Sequence, residues 1–206
     1  EPLTLRRNQI KKKMFDMFLS VAVVFGILWW FYPLVGLIIK LTSSGPIVIS
    51  QDRIGIDGIR FLCMKFRTMI SNKSAEKGYS HLTIDDDKRI TWIGRVLRKT
   101  NLDELPQFIN VLFGRMSVVG PRPHMVSEDK EIADKIEKYR IRRFVKPGIT
   151  GLAAIKGYRG GTENLDLMQK RIDSDIEYIE NWSFWLDIKI SIITFWQMLT
   201  FKTGAH

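Results

Sequence analysis

The hydrophobic pattern divides the chain into two parts near residue 41. Residues 17–39 form a run of 23 residues without a charge, which as a helix can cross about 30 Å of hydrocarbon. After Lys40, apolar positions either alternate with polar ones or recur at helical spacing, as in a globular domain. The pattern therefore predicts a basic flank and membrane helix in residues 1–41, followed by a catalytic or binding domain in residues 42–206.

The flanks of the apolar run leave its topology open. Positive charge normally accumulates on the cytoplasmic side of a spanning helix. Here basic residues lie on both sides, at Arg6, Arg7, Lys11, Lys12, Lys13, Lys40, Arg53, Arg60, Lys65 and Arg67. Pro33 follows Tyr32 inside the run, and a proline removes a helical hydrogen bond and kinks the chain. Two topologies remain: a re-entrant helix that breaks near Tyr32-Pro33 and returns to the same face, or a kinked spanning helix.

The domain pattern predicts a β-hairpin followed by a long loop. Residues 47–51 and 59–66 have the composition of strands, and the loop between them contains Asp57-Gly58, a favoured hairpin turn. Residues 71–87 are polar and without periodicity, which predicts a long exposed loop.

Three further segments have helical spacing. The first helix has Pro106 in its first turn, ends at Gly114, and has an apolar face made of Leu102, Leu105, Ile109 and Leu112. The apolar face of the second is made of Leu165, Met168, Ile172, Ile176 and Ile179. Residues 182–201 are rich in aromatic side chains and isoleucine, which suits a helix at a membrane interface or one packed in the core. The predicted fold class is α+β, mostly helical, with a short β-hairpin and amphipathic interfacial helices.

Charge and cysteine content narrow the classes of partner. The formal charge of +10 and pI near 9.8 favour nucleic acid, anionic lipid or nucleotide. The single cysteine, Cys63, excludes an intrachain disulfide and suits a reducing compartment. The first residue is Glu1 rather than a methionine, so we expect a fragment of a longer protein.

The candidate chemistry is concentrated in residues 97–123. Asp103 and Glu104 are adjacent, and neighbours on a helix point about 100° apart. The two carboxylates could divide a task, one attacking phosphorus and the other holding a cation. Acidic capping of a helix N-terminus explains the same pair, and an isolated pair is usually of this kind.

Cations around the acidic pair favour phosphate chemistry. Arg122 lies between Pro121 and Pro123, which hold its backbone in a stiff turn. Arginine can bind two phosphate oxygens at once. The other cations near the pair or in the strand motif are Lys65, Arg67, Arg98 and Lys99. Each alone would be a solvated surface cation, but together with carboxylates and a membrane segment they suggest metal-assisted phosphoryl transfer.

Five motifs in order resemble the bacterial sugar transferase family, also known as monotopic phosphoglycosyl transferases. They are KKKMFD, SSGPIVISQDRIGIDG, FLCMKFRTM, LRKTNLDELPQFINVLFGRMSVVGPRP and VKPGITGLAAIKGYRGG, and they span almost the whole chain. The stretch from GYRGG to DIKI is similar to the larger members, which carry an additional N-terminal membrane region.

The resemblance implies a reaction and roles for residues. Asp103 would attack the β-phosphate of a UDP-sugar, release UMP and hold the sugar phosphate until undecaprenyl phosphate accepts it. Glu104 would hold Mg²⁺. The phosphate- or nucleotide-binding cations would be Lys65, Arg67, Arg98, Arg122 and Lys146. Lys146-Pro147-Gly148 stands where many members have Arg-Pro-Gly, which puts a bidentate contact there in doubt.

The resemblance also implies a location and a pathway class. The catalytic domain would lie on the cytoplasmic face of the bacterial inner membrane, held by a re-entrant helix. Family members break that helix at Ser-Pro, whereas this chain has Tyr32-Pro33. The product would start an exopolysaccharide, capsule or O-antigen, with glucose or galactose weakly favoured as the donor sugar. A homo-oligomer is compatible with the sequence.

Two other functions compete with this interpretation. A membrane-tethered nucleic-acid binder would need a basic stripe with interleaved aromatics, and the aromatics cluster in apolar segments instead, so no nucleic-acid partner is expected. A catalytically inactive scaffold of the same family is disfavoured because Asp103 and Glu104 are both retained.

Overall fold

The computed structural model describes residues 2–70, 87–158 and 164–201. The polar loop predicted at residues 71–87 lies outside these ranges except for Asp87. In the described part of the chain, the helices are α1 (Arg6–Val23), α2 (Trp29–Thr42), α3 (Trp92–Lys99), α4 (Gln107–Leu112), α5 (Val126–Lys135), α6 (Leu152–Ile155), α7 (Leu165–Glu180) and α8 (Phe184–Leu199). The strands are β1 (Val48–Ile54), β2 (Arg60–Phe66), β3 (Ser117–Val119) and β4 (Gly148–Thr150). The class is therefore mostly helical with short strands, as predicted.

Helices α1 and α2 form one long apolar rod. A π-helical segment, Val24–Leu28, joins them into a helix from Arg6 to Thr42, which is long and apolar enough to cross a membrane by length and composition. Helix α2 continues through Tyr32 and Pro33, where the sequence predicts a break. The departure from α-helical hydrogen bonding lies about one turn earlier.

One face of this rod packs on the globular domain along its length. In α1 the ammonium of Lys12 donates to the carbonyl of Val119, and the carboxylate of Asp16 accepts from the backbone N–H of Val118, each at 2.9 Å. In α2, Val35 and Ile39 are buried in a cluster with residues of β2 and α3. The opposite face exposes large apolar side chains, including Phe18, Phe25, Trp29, Leu37 and Leu41.

The predicted hairpin is confirmed. Strands β1 and β2 pair antiparallel from Val48 opposite Phe66 to Ile54 opposite Arg60. The turn contains Asp57 and Gly58, both with positive φ, as a favoured hairpin turn requires.

Asn110 attaches α4 to the open edge of this hairpin. Its side-chain oxygen accepts from the Met64 N–H at 2.9 Å, and its amide donates to the Leu62 carbonyl at 2.7 Å. The side chain therefore satisfies two backbone groups on an edge of β2 that no third strand pairs with in the described part of the chain. This bond pair brings the turn before α4 alongside Lys65.

The two C-terminal helices, α7 and α8, each have buried and exposed positions. In α7 the predicted apolar residues Met168, Ile172, Ile176 and Ile179 are buried, while Leu165 is exposed. Helix α8 buries only Asp187 and Ile190, and Trp185 and Trp196 are exposed. Of the two alternatives for this segment, the structure supports a surface helix with an apolar face.

Close backbone contact between glycines joins β3 and β4 in parallel. A Cβ added at Gly148 would lie 2.1 Å from the Gly120 nitrogen and 2.4 Å from the Thr150 oxygen. A Cβ at Gly151 would lie 2.3 Å from the Gly120 oxygen. No side chain fits at these positions without moving the backbone that leads into the Pro121–Pro123 turn.

We expect Gly148→Ala to be strongly destabilising, because the atoms it would meet are backbone and cannot rotate away. The cost should be on the order of 3 kcal/mol, which lowers Tm by roughly 5–10 °C in a domain of this size. Gly26→Ala is the matched control, since a Cβ there meets nothing within 4 Å. Thermal unfolding in detergent measures both, and equal Tm values for the two variants would contradict the expected contact.

Candidate active site

The acidic pair lies on a short turn before α4. Asp103 and Glu104 belong to a 3-10 turn, Leu102–Glu104, which follows Asn101 in the left-handed conformation. Pro106 is the residue before the first turn of α4. The sequence predicts the pair at the start of this helix. In the structure the pair lies just before α4, on a separate 3-10 turn. Both side chains are buried, with exposed fractions of 8% for Asp103 and 7% for Glu104.

Glu104 is held by two cations from distant parts of the chain. Lys65 Nζ lies 2.7 Å from Glu104 Oε1, and a terminal nitrogen of Arg122 lies 2.8 Å from the same oxygen. Burial alone would raise the pKa of Glu104, but Arg122 and Lys65 outweigh it and hold the pKa well below its usual range. Glu104 is therefore ionised at any physiological pH and fixes both cations beside it.

Asp103 has a different environment from its neighbour. In the described residues no hydrogen bond or ion pair reaches its carboxylate. Burial raises the pKa of Asp103 to about 6, with Lys65 opposing the shift and the charge of Glu104 adding to it. A desolvated carboxylate without partners is a stronger nucleophile than a solvated one, and such perturbed groups concentrate at functional sites.

The turn that carries Arg122 is held in place by other side chains. Its side chain is 44% exposed, so one edge binds Glu104 while the rest faces open space. Arg142 donates to the Arg122 carbonyl at 2.5 Å. Arg142 in turn donates to Asp175 at 2.8 Å, and both of these side chains are buried. Arg142 and Asp175 therefore hold the backbone carbonyl of Arg122, and with it the turn, in position.

Arg142 and Asp175 are not among the site residues predicted from the sequence. They lie 33 positions apart, and no short motif joins them. One signal was present: Asp175 precedes Ile176 on the apolar face of the predicted α7 helix. A carboxylate on a buried face requires a cation, although the spacing alone does not say which one.

Of the other predicted cations, Arg98 belongs to the site and two lie elsewhere. Arg98 donates to the Thr68 hydroxyl at 2.9 Å and its charge acts on Asp103. Arg67 is buried and donates to the Ser43 carbonyl at 2.9 Å and to the Ser44 carbonyl, at the end of α2. Lys146 lines a separate cavity. Phosphate-binding roles for Arg67 and Lys146 stay predictions.

The predicted Mg²⁺ site rests on Glu104. In the ranges that the structure describes, no cluster of three or more His, Cys, Asp or Glu residues is present. Mg²⁺ commonly takes one or two carboxylates and completes its shell with substrate phosphates and water. Glu104 Oε2 makes only a long contact of 3.4 Å with Arg122, so it is the less engaged oxygen of the pair. These residues fit a metal that arrives with a diphosphate substrate.

Comparison with known proteins identifies the family. The family described as bacterial sugar transferase matches residues 7–201 of the chain. The chain belongs to the bacterial sugar transferase family. The match covers the acidic turn, both Glu104-bound cations and the Arg142–Asp175 support.

Curated relatives are similar over most of the chain. A UDP-glucose:undecaprenyl-phosphate glucose-1-phosphate transferase of Klebsiella pneumoniae is 44% identical over 187 residues, which cover 91% of this chain and 40% of the relative. A transferase of the same description from Caulobacter vibrioides is 40% identical over 97% of this chain and 73% of its own length. The exopolysaccharide production protein PSS of Rhizobium leguminosarum bv. phaseoli is 39% identical over 95% of this chain and 98% of its own length. The chain thus spans less than half of the Klebsiella relative and nearly all of the Rhizobium one.

In this bacterial sugar transferase, neutralising the two carboxylates should change stability in opposite directions. At pH 8 the wild type must hold a charged Asp103 in a buried site, because its folded-state pKa lies above the ordinary 3.8. Asp103→Asn removes that cost of about 1–3 kcal/mol and raises Tm by several degrees. Glu104→Gln leaves Lys65 and Arg122 without their anion and should lower stability by about 2 kcal/mol.

The stability effect of the Asp103 carboxylate should depend on pH. A raised carboxyl pKa means that the native state binds the proton more tightly than the unfolded chain does. The penalty is therefore complete above about pH 6 and fades as the pH falls towards the ordinary value of 3.8. The gain in Tm from Asp103→Asn should shrink from pH 8 to pH 5 in differential scanning calorimetry. A loss of Tm in Asp103→Asn as large as that in Glu104→Gln would contradict the separate environments.

Proposed function

We propose that this bacterial sugar transferase moves a sugar-1-phosphate from a UDP-sugar to undecaprenyl phosphate and releases UMP. The observation that carries the proposal is the buried carboxylate of Asp103, which has no hydrogen bond or ion pair within the described ranges, beside a Glu104 that already holds Lys65 and Arg122. The names of the Klebsiella and Caulobacter relatives describe the same class of reaction. The chain covers only part of the first, so its own activity is a proposal.

The first step is attack on phosphorus by Asp103. One carboxylate oxygen bonds to the β-phosphorus of the UDP-sugar, the bond from that phosphorus to the oxygen bridging it to the α-phosphate breaks, and UMP leaves with the electron pair. The product is an acyl phosphate that carries the sugar. Lys65 and Arg122 can bind the phosphoryl oxygens as charge develops there, since Glu104 fixes both cations before substrate arrives.

The second step uses the same site in reverse. A phosphate oxygen of undecaprenyl phosphate attacks the phosphorus of the acyl phosphate, and the Asp103 carboxylate leaves. The new P–O bond completes the diphosphate that links lipid and sugar, and the Asp103 carboxylate is regenerated. Two anionic substrates therefore bind in turn and never together, which suits a site with one cluster of cations.

Mg²⁺ belongs to this proposal through Glu104. When bound with the diphosphate, the metal would offset negative charge on the leaving UMP. The less engaged Glu104 Oε2 supports this assignment. The protein residues supply the remaining contacts: Arg122 and Lys65 to phosphoryl oxygens, with Arg98 near Asp103.

We also propose a re-entrant membrane segment with the catalytic domain on the cytoplasmic face of the inner membrane. The same domain packs against α1 at Lys12 and Asp16 and against α2 at Val35 and Ile39. A straight crossing would place these contacts on opposite sides of about 30 Å of hydrocarbon. The π-helical turn and Pro33 supply a place for the chain to bend.

The donor we propose is UDP-glucose, and the pathway is exopolysaccharide production. Two relatives are named for UDP-glucose, and the Rhizobium relative for exopolysaccharide production. UDP-galactose and the UDP-N-acetylated amino sugars are the alternatives that the same site chemistry accommodates.

The decisive measurement is UMP release without an acceptor. Detergent-solubilised protein mixed with UDP-glucose and Mg²⁺ should release about one UMP per chain in a burst, because the acyl phosphate forms and then waits. Asp103→Asn should lower the burst rate at least about a thousandfold. Asp52→Asn, an exposed carboxylate of β1, is the matched control. Turnover only after undecaprenyl phosphate is added, with no burst, would exclude the covalent step.

The burst rate should also depend on pH. Because Asp103 attacks as a carboxylate and its pKa is raised to about 6, kcat/KM for the burst should rise from pH 5 and level off above about pH 7. A profile without this rise would mean that Asp103 is not the titrating nucleophile.

The topology is tested by cysteine labelling, since the native Cys63 is buried and gives little background. Arg7→Cys and Asp52→Cys place exposed thiols before and after the apolar rod. Both should react with a membrane-impermeant maleimide in inverted vesicles, and neither in intact spheroplasts. Labelling of the two positions from opposite sides would show a spanning helix.

A further inference from the structure

A cavity of about 560 Å³ lies beside the start of the apolar rod, away from the acidic turn. Its walls come from α1, from the end of α4 and from the chain just before β4. Asp103 and Glu104 do not line it, and neither do the cations bound to Glu104. The reaction proposed above therefore gives this cavity no role.

Two lysines give the cavity an unbalanced positive charge. Three lysines and one aspartate line it. Lys12 is paired with Asp187 at 2.9 Å, and Asp16 accepts bonds from Ser117 and Val118, so both are engaged with protein groups. In the described ranges Lys13 and Lys146 have no ion pair.

The rim of the cavity is apolar and open. Phe113 is 74% exposed and Phe144 is 65% exposed, although both line the cavity. Met17, the first residue of the uncharged run, also lines the cavity. Large apolar side chains left in water are costly, and an exposed group of them marks a surface that another apolar body covers.

The two lysines and the exposed aromatic side chains that line the cavity together match one kind of molecule. A phospholipid with a net negative charge has a phosphate for the lysines and hydrocarbon for the aromatic rings. A free phosphate would leave the rings uncovered, and a neutral lipid would leave the lysines without an anion. The position next to the membrane rod places the cavity where such lipids are concentrated.

We propose that this cavity binds one anionic phospholipid, with its phosphate at Lys13 and Lys146 and its acyl chains against Phe113 and Phe144. The site is separate from the one that holds undecaprenyl phosphate during transfer. The proposal rests on the membrane location given above and is independent of the transfer reaction. A lipid held there would fix the height of the domain at the bilayer surface.

The test counts bound lipid by native mass spectrometry of the detergent-purified chain. Dioctanoyl phosphatidylglycerol should bind at least about tenfold more tightly than dioctanoyl phosphatidylcholine, because the two lysines favour an anionic headgroup. The double variant Lys13→Gln, Lys146→Gln should lose that preference. The matched control is Lys130→Gln, Lys138→Gln, which removes the same charge from exposed positions outside the cavity. An unchanged preference in the first double variant would overturn the proposal.

Additional measurements distinguish the lipid from other occupants of the cavity, and a variant that keeps both lysines controls for misfolding. Millimolar inorganic phosphate or UDP-glucose should not displace the lipid, and displacement by either would show a free-anion or nucleotide site instead. Phe144→Ser keeps both lysines and should reduce the gain in affinity from hexanoyl to octanoyl chains. A shift from dimer to monomer in the lysine variant, with lipid count unchanged, would assign the face to a second copy and overturn the proposal.

The outcomes for the cavity and for the reaction are distinguishable because lipid binding is measured without nucleotide sugar. Lysine-dependent binding in a protein that gives no UMP burst would leave this site in place and contradict the transferase proposal. A normal burst with no lipid preference would contradict the site alone.

Discussion

The ion pairs of Glu104 are the constraint on which the site depends. Burying an isolated carboxylate costs several kcal/mol, and two adjacent ones cost more because they repel. Lys65 from β2 and Arg122 from the Pro121–Pro123 turn offset this cost at Glu104, and their fields also reach Asp103. Three chain segments must therefore meet before the acidic turn can be buried. Among the described residues, Glu104 is then bound by two cations, whereas no hydrogen bond or ion pair reaches the Asp103 carboxylate. This difference supports the proposal that Glu104 organises the site and Asp103 is the nucleophile.

Side chains elsewhere in the domain hold these three segments together. Asn110 aligns the acidic turn with the hairpin edge. Arg142 and Asp175 hold the backbone of Arg122 from behind. Such buried polar contacts contribute little net stability, but breaking one leaves an unpaired group and is costly, so they specify geometry more than they add free energy.

The apolar rod is joined to the domain by polar bonds at one end and by packing at the other. The buried pair of Lys12 and Asp187 links α1 to α8, and both α8 and the rod expose apolar faces. At the membrane location proposed above, a domain attached this closely to the apolar rod would have little freedom to lift from the bilayer. That would suit the proposed reaction, in which one substrate is soluble and the other is a lipid.

The sequence by itself determined the elements that depend on local pattern: the apolar rod, the hairpin, the buried face of α7 and the family motifs around Asp103 and Glu104. These follow from periodicity and residue type, which act over a few residues. Tertiary structure decided which predicted cations reach Glu104, since Lys65 and Arg122 do and Lys146 lines another cavity. It also decided that Arg67 binds carbonyls at the end of α2 and that Asp175 supports the arginine turn. The charge of each residue can be read from the sequence. The partner of a buried charge is set by contacts between distant segments, which no local pattern encodes.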